Sequence, residues 1–331
     1  MHKLFGLTPE DVPIDWAPDT FGHPATMPTY LSRAGVKYLY LHRPGTQIHP
    51  KPWLFWWKGP DGSRILVRND SKARDGYNGS INSGMINEVL ASLKETGLQD
   101  SMFVYGVGDH GGGPTRRDLE QAIEMNTWPI FPTLRFSSTK TFYDAVASRG
   151  QNIPVLEGEL NFEFTGCYTS QSLIKKANRY GENRLLDAEF AATIAWGAAA
   201  QPYPAEPLEE AWRNVLFNHF HDILPGSGVM DTRTYSHGLY QQTLAITAQT
   251  ETRALRAMAA RVDTTSAGHS GTPKGPASRM RSSIGAGVGF GTHDGGLSRS
   301  DATTGHSNNP FILFNSTAHE RDEVVEATVW G

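Results

Sequence analysis

Patterns typical of strands and helices alternate over the first 160 residues of the chain. Five segments have the alternating or continuous apolar residues of β-strands. They are VPIDW (12–16), YLYLH (38–42), SRILVRN (63–69), SMFVYGVG (101–108) and IPVLEGEL (153–160). Between them, segments such as INEVLASLKETG (86–97) and TRRDLEQAIEMN (115–126) have apolar residues at helical spacing. The alternation predicts βαβ units and a mostly parallel sheet, which is either open or closed into a barrel.

Long helical patterns follow from about residue 168. Apolar residues at helical spacing run through 168–196, 207–222 and from about Thr232 to Val262. Three consecutive helices with short connections predict an antiparallel three-helix bundle. The chain therefore divides into four predicted regions. They are a partial α/β catalytic domain (1–165), a helical bundle (166–263), a Gly/Ser-rich linker or insertion (264–309) and two strands that begin a β-domain (310–331).

Composition and charge indicate which classes of partner to expect and in which cellular compartment the protein lies. The net charge is −4 at pH 7 and no run of Lys or Arg is visible, so we expect no nucleic-acid partner. The single cysteine, Cys167, cannot form an internal disulfide, which favours a reducing compartment. The N-terminal segment has no apolar stretch typical of a signal peptide, and no apolar run is long enough to span a membrane. These features predict a cytoplasmic protein without a membrane partner.

Acidic residues follow several of the predicted strands. Asp19 follows the first strand, Asp109 follows SMFVYGVG, and Glu157 and Glu159 lie at the end of IPVLEGEL. Ligands of parallel α/β folds bind beyond the carboxyl ends of the strands. Two carboxyl groups beside aromatic residues are what glycoside hydrolysis requires. A single acid in a loop is more often a turn or capping residue, so the interpretation depends on the strand-end acids together.

Two further motifs have candidate chemistry. The loop GVGDHGGGPT (106–115) lacks the GK[ST] ending of a phosphate-binding loop, and Asp109 would repel a phosphate. Its glycines would let a substrate approach the backbone closely, although a merely flexible loop is the alternative. The motif HFHD (219–222) has residue types that bind metals. If the helix continued through it, His219 would face the core and His221 would point away, so His221 is the predicted ligand.

Five segments in the chain resemble the retaining α-mannosidases of glycoside hydrolase family 38, particularly their cytosolic and bacterial branch. They are WAPDTFGHPATMP, FWWKGPDGSRILV, YGVGDHGGGPTRRDLE, EGELNFEFTGCYTSQSLIKKANRYGENRLLDAE and NHFHDILPGSG. The resemblance covers about residues 10–260. It implies an α/β fold with a seven-stranded (β/α) barrel, which is incomplete in this chain, followed by a three-helix bundle and C-terminal β-domains.

The resemblance also implies roles for particular residues. Asp19 matches the catalytic nucleophile, which is also a ligand of Zn²⁺, and His221 matches a second zinc ligand. Asp109 is expected to be the general acid. Four further positions are expected to contact the sugar: Phe21, Arg43, Phe164 and Asp222. Phe164 stands where this branch often has histidine, and His219 where it usually has glutamine.

The resemblance implies an additional zinc motif of the His–X–Asp type upstream of Asp19, which this sequence does not contain. The chain is therefore interpreted as a fragment that is inactive or nearly so alone. The full-length enzyme is expected to release terminal α-linked mannose from mannose-containing oligosaccharides with retention, and its assembly as a homo-oligomer stays open. The alternatives are a metal-dependent carbohydrate deacetylase and a non-catalytic carbohydrate-binding protein.

Overall fold

The computed structural model describes residues 2–43, 51–73, 76–109, 111–149, 152–161, 163–263 and 312–325. They belong to two compact units. The first comprises Met1–Ser170 with Pro225–Ser227, and the second comprises Gln171–Leu224 with Gly228–Gly331. The architecture is mixed α/β, as the sequence predicts. The predicted linker 264–309 lies outside the described residues, and residues 312–325 contain neither a helix nor a strand.

The first unit contains a five-stranded mixed sheet with the order β1-β2-β4-β3-β5. Its strands are β1 (Ile14–Ala17), β2 (Tyr38–Leu41), β3 (Leu54–Lys58), β4 (Arg64–Asn69) and β5 (Val155–Glu157). Strands β1, β2 and β4 are parallel to one another. Strand β3 is antiparallel to β4 and parallel to β5. The hairpin between β3 and β4 turns at Gly62, whose φ of 84° suits a glycine.

Both faces of the sheet are covered, which explains why its central strands are apolar at nearly every position. One face buries a cluster that includes Leu39, Phe55 and Val67. The other face buries Leu66 and Tyr143 among its residues. Full burial of one such aliphatic or aromatic side chain contributes about 1.5–3 kcal/mol. These clusters therefore supply much of the stability of the first unit.

The first unit also contains five helices, α1 to α5, numbered in chain order. They are α1 (His2–Phe5), α2 (Met27–Arg33), α3 (Met85–Thr96), α4 (Arg116–Met125) and α5 (Thr139–Arg149). Helix α3 ends where Gly97 adopts the left-handed conformation with a φ of 66°. Helix α4 begins with a capping box between Thr115 and Asp118. Helix α5 packs on the sheet, and its Tyr143 hydroxyl donates a 2.7 Å hydrogen bond to the Leu39 carbonyl.

The second unit contains three long helices that pack around one apolar core. They are α6 (Ser172–Ala199), α7 (Ala205–Phe217) and α8 (Met230–Ala259). Their shared core includes Leu185, Leu208, Val215 and Tyr240. Small residues allow close helix contacts: a Cβ added at Gly181 would lie 3.3 Å from Val215 Cγ2. None of the helices among the described residues has the length and apolar character needed to cross a bilayer.

Two strand predictions differ from the structure. The segment SMFVYGVG makes only isolated bridges, Gly79 with Tyr105 and Val107 with Gly113, because it enters a glycine-rich loop. Strand β5 runs opposite to β1, so its terminal Glu157 lies at the other edge of the sheet from the position that follows β1. Glu157 there accepts a 2.7 Å hydrogen bond from Lys58 Nζ. The expectation that all the strand-end acids share one edge was therefore wrong for Glu157.

The buried His23 generates a prediction about acid stability. Burial, opposed by a hydrogen bond to the Arg43 backbone, lowers the pKa of His23 to about 4. The unfolded chain takes up a proton near pH 6.5 that the native state excludes, so stability falls as the pH drops from 6.5 to 4. The full difference corresponds to about 3 kcal/mol. We expect His23→Asn, which keeps a donor at this position, to flatten this pH dependence in urea unfolding experiments. Equal slopes for the two proteins between pH 6.5 and 4 would contradict the assignment.

Candidate functional site

The carboxyl ends of three parallel strands place polar residues along one edge of the sheet. Asp19 lies two residues after β1, His42 and Arg43 follow β2, and Asp70 follows β4. Because β1 and β2 pair in register from Ile14–Tyr38 to Ala17–Leu41, the residues beyond them emerge side by side. This is the edge at which α/β folds bind ligands.

An ion pair between Asp19 and Arg43 occupies this edge. Arg43 Nε donates to Asp19 Oδ1, and the two side chains are 26% and 18% exposed, respectively. The Arg43 guanidinium carbon lies 4.8 Å from the centre of the Phe164 ring and 5.8 Å from that of Phe21. The two rings contact each other edge to face, with centres 5.2 Å apart. The structure thus brings together four of the predicted site residues around one matched charge.

Tyr77 connects this ion pair to Asp109. Its hydroxyl hydrogen-bonds with Arg43 and donates a long hydrogen bond of 3.4 Å to Asp109 Oδ1. Burial raises the pKa of Tyr77, the Arg43 hydrogen bond opposes this, and the charges of Asp19 and Asp109 add to it. Tyr77 therefore stays protonated at neutral pH and acts as a donor.

Sequence reasoning missed Tyr77. A usable signal was the glycine before it, because Gly76 has a φ of 54° and permits close contact with His42. A Cβ at Gly76 would lie 2.7 Å from His42 Cε1, and the His42 and Tyr77 rings meet edge to face with centres 5.4 Å apart. A Gly-Tyr pair in the loop after a central strand is the pattern that could have indicated this residue.

The loop that carries Asp109 is fixed by Asn78 and by its glycines. Asn78 Oδ1 accepts hydrogen bonds from the backbone amides of Gly108 at 2.8 Å and Asp109 at 2.7 Å. A Cβ at Gly106 would lie 2.6 Å from the backbone carbon of Gly113. The glycines therefore allow the two sides of the loop to pair closely, and Asp109 is presented at an exposed position.

A buried polar cluster lies behind the same edge of the sheet. The Tyr40 hydroxyl donates a 2.6 Å hydrogen bond to Asp70 Oδ2, and Arg68 Nη2 lies 3.7 Å from Asp70 Oδ1. Burial raises the pKa of Asp70, while the Arg68 charge and the Tyr40 hydrogen bond oppose this. The Arg68 guanidinium stacks over Trp53, 4.4 Å from its ring centre. These contacts hold the end of β4 in one conformation.

The second unit carries the HFHD motif in a turn and not in a helix. Helix α7 ends at Phe217, so the angle of about 100° per residue of a helix does not determine where His219 and His221 point. The His219 side chain faces polar groups of α6 instead of an apolar core. His221 Nε2 lies 3.8 Å from Asp222 Oδ2, and its ring centre is 4.3 Å from that of Phe220.

The two predicted metal ligands are residue types that bind zinc, but a zinc site has three or four protein ligands. Asp19 belongs to the first unit and His221 to the second, and a carboxylate and an imidazole are both zinc ligands. No group of three or more His, Cys, Asp or Glu side chains among the described residues is arranged to hold a metal ion.

Comparisons with known proteins match most of the chain. Residues 1–159 match the model of the glycosyl hydrolases family 38 N-terminal domain, and residues 163–258 match that of the alpha mannosidase middle domain. Alpha-mannosidase 2C1 of Homo sapiens is 34% identical over 217 residues, which cover 64% of this chain and 21% of that protein. Alpha-mannosidase of Saccharomyces cerevisiae is 34% identical over 243 residues, covering 68% of this chain and 22% of that protein.

A solved structure shares the fold. It is an alpha-mannosidase from Enterococcus faecalis V583, with a TM-score of 0.64 and 22% identity over 80% of this chain and 31% of that one. The chain spans about a fifth of the length of the curated relatives it matches.

The Asn78 contacts give a prediction for the Asp109 loop. Asn78→Ala removes one acceptor from two backbone amides, so we expect the amides of Gly108 and Asp109 to exchange hydrogen faster. The free energy of unfolding should fall by about 1–2 kcal/mol. Amide hydrogen exchange and urea unfolding measure the two effects. Asn82→Ala is the matched control, because the Asn82 side chain bonds Ser80 and Gly84, away from the Asp109 loop. Equal exchange at residues 108 and 109 in both variants would contradict the prediction.

Proposed function

The chain belongs to glycosyl hydrolase family 38, and from this we propose that the protein of which it is part hydrolyses terminal α-linked mannose. The substrate would be a mannose-containing oligosaccharide, cleaved with retention of configuration. The observation that carries the proposal is the Asp19–Arg43 ion pair bordered by Phe21 and Phe164 and linked through Tyr77 to Asp109. Relatives named alpha-mannosidases support the choice of sugar.

Asp19 has the environment required of a carboxylate nucleophile. Its charge is matched by Arg43, whose hydrogen bond orients the carboxyl group. Phe21 and Phe164 present aromatic surface beside it, and such surfaces suit the apolar faces of a sugar ring. In the proposed first step, an Asp19 oxygen attacks the anomeric carbon and the bond to the leaving oxygen breaks.

Asp109 is proposed as the general acid. It would transfer its proton to the leaving oxygen in the first step, and then take a proton from the water that releases mannose from Asp19. Tyr77 donates to the Asp109 carboxylate and also bonds Arg43, so it orients the acid relative to the nucleophile. Arg43 is in addition proposed to contact the substrate.

The proposal also includes a zinc ion and the architecture of the longer protein. Asp19 and His221 would be zinc ligands, with further ligands from outside the described residues, and Asp222 would hydrogen-bond the sugar. When bound, Zn²⁺ would orient sugar hydroxyls and stabilise negative charge. The α/β region would belong to a seven-stranded barrel and residues 166–263 to a three-helix bundle. We further propose a cytoplasmic location, on the grounds of the single cysteine.

The roles of the two acids can be separated in a full-length polypeptide that carries this sequence. Asp109→Asn should lower kcat/KM for alkyl α-mannosides by about 10²–10⁴-fold and change kcat/KM for dinitrophenyl α-mannoside much less, because kcat/KM reports the first step and that leaving group needs no proton. Asp19→Asn should be inactive with both substrates and should form no covalent glycosyl-enzyme detectable by mass spectrometry. Unchanged turnover in Asp19→Asn would show that Asp19 is not the nucleophile.

A second experiment concerns the 331-residue chain alone. Because the described residues contain no group of three metal-binding side chains, we expect substoichiometric zinc and negligible cleavage of an aryl α-mannoside. Zinc content is measured by elemental analysis, with the full-length protein as the positive control. Stoichiometric zinc with robust turnover in the chain alone would contradict this expectation.

A further inference from the structure

Four polar side chains form a connected cluster between the three helices of the second unit. His219 Nε2 lies 2.9 Å from Asn178 Oδ1 and 3.1 Å from Glu182 Oε1. Asn178 Nδ2 donates to the same Glu182 oxygen at 3.0 Å, and the Tyr240 hydroxyl donates to Asn178 Oδ1 at 3.1 Å. We call these four residues the α6–α8 polar cluster.

The hydrogen-bond roles within the α6–α8 polar cluster are determined by its chemistry. Both neighbours of His219 Nε2 are acceptor oxygens, so Nε2 must carry a proton and donate it. Asn178 uses its carbonyl to accept from His219 and Tyr240 and its amide to donate to Glu182, which fixes the orientation of the amide. Asn178 and Tyr240 are 8% and 2% exposed, so losing a partner here leaves a buried polar atom unsatisfied.

One member of the cluster, His219, lies in the same turn (218–224) as His221 and Asp222. Helix α7 ends at Phe217, and the following residues are joined by local backbone bonds such as Ile223 N to Phe220 O at 2.9 Å. Such local bonds shape the turn but do not anchor it to another helix. His219 anchors it to α6, and Asn218 Nδ2 anchors it to α8 through a 3.2 Å bond to Ser236 O.

We infer that His219 is a positioning residue, which ties the turn of residues 218–224 to Asn178 and Glu182 of α6 and thereby orients His221 and Asp222. The inference rests on the proposed function, because it assigns His221 and Asp222 to the sugar and metal site. It adds a specific cause for their placement: the imidazole two positions before His221, and not the helix that precedes it. Asn178, Glu182 and Tyr240 act through His219.

The test uses variants of a full-length polypeptide that carries this sequence. His219→Ala should raise amide exchange in peptides covering 218–224 by about tenfold or more, since the tertiary anchor to α6 is lost. It should lower kcat/KM for an aryl α-mannoside by about 10²-fold, because a displacement near 1 Å has that effect. His219→Gln, whose amide can still donate to Asn178 and Glu182, should restore both properties. If His219→Ala does not fold, Tyr240→Phe gives the same readouts in smaller measure.

Trp212→Phe is the matched control. It removes a different hydrogen bond to α6, which Trp212 Nε1 of α7 donates to Glu189 Oε1 at 2.9 Å. This bond lies away from the turn. A merely structural role for His219 predicts that both variants change exchange and kinetics alike, and that result would overturn the inference. Unchanged exchange at 218–224 in His219→Ala would overturn it as well.

His221→Ala separates the inference from the proposed function. If His221→Ala leaves zinc content and kcat/KM unchanged, the proposed role of His221 is wrong, whatever the exchange data show. If His221→Ala abolishes activity while His219→Ala matches Trp212→Phe, the proposed function stands and the positioning role of His219 is wrong.

Discussion

A carboxylate that is four-fifths buried requires a cation fixed beside it, and the Asp19–Arg43 pair satisfies this constraint at the sheet edge. Two unit charges about 4 Å apart attract by about 4 kcal/mol at the effective dielectric of a protein surface. Much of that offsets desolvation, so the pair adds little net stability, whereas loss of either partner leaves the other charge partly buried and unpaired. The pair therefore dictates the position of both chain segments, and β1 and β2 must keep their register to form it.

The sequence predicts the local elements of the fold better than their direction. Apolar runs indicated β1, β2 and β4, and apolar residues at helical spacing indicated α3 and α4, because these signals depend on neighbouring residues. Hydrophobic periodicity does not show strand direction, so it could not show that β5 runs against β1, β2 and β4, and β3 was not among the predicted strands. The misplacement of Glu157 follows from this. Strand SMFVYGVG failed as a prediction because its glycines favour close loop pairing over a ladder.

The candidate site divides along a similar line. The rule that ligands bind beyond parallel strand ends indicated Asp19, which follows β1, whereas Asp109 follows a segment that makes only isolated bridges. Tyr77 and Asn78 depend on contacts made by segments some 30 residues apart in sequence. The glycine before Tyr77 indicates a close approach there, but no local pattern specifies the distant partner. The roles of His221 and Asp222 came from family resemblance. The prediction that His219 faces the apolar core was wrong, because the helix ends at Phe217 instead of continuing through the motif.

Both units place their candidate chemistry just beyond the end of a regular element. Asp19 and Arg43 follow strands, and His221 and Asp222 follow α7. Past such an end, the backbone hydrogen bonds that fix φ and ψ inside an element are missing, so the chain is free to adopt a shape that presents side chains. That freedom has to be removed again by side chains from other elements. Tyr77 and Asn78 do this in the first unit, and Asn178 and Glu182 do it through His219 in the second. The residues that carry the candidate chemistry and the residues that hold them in place are therefore different. The residues that hold them in place do not stand out in the sequence as candidates for catalysis.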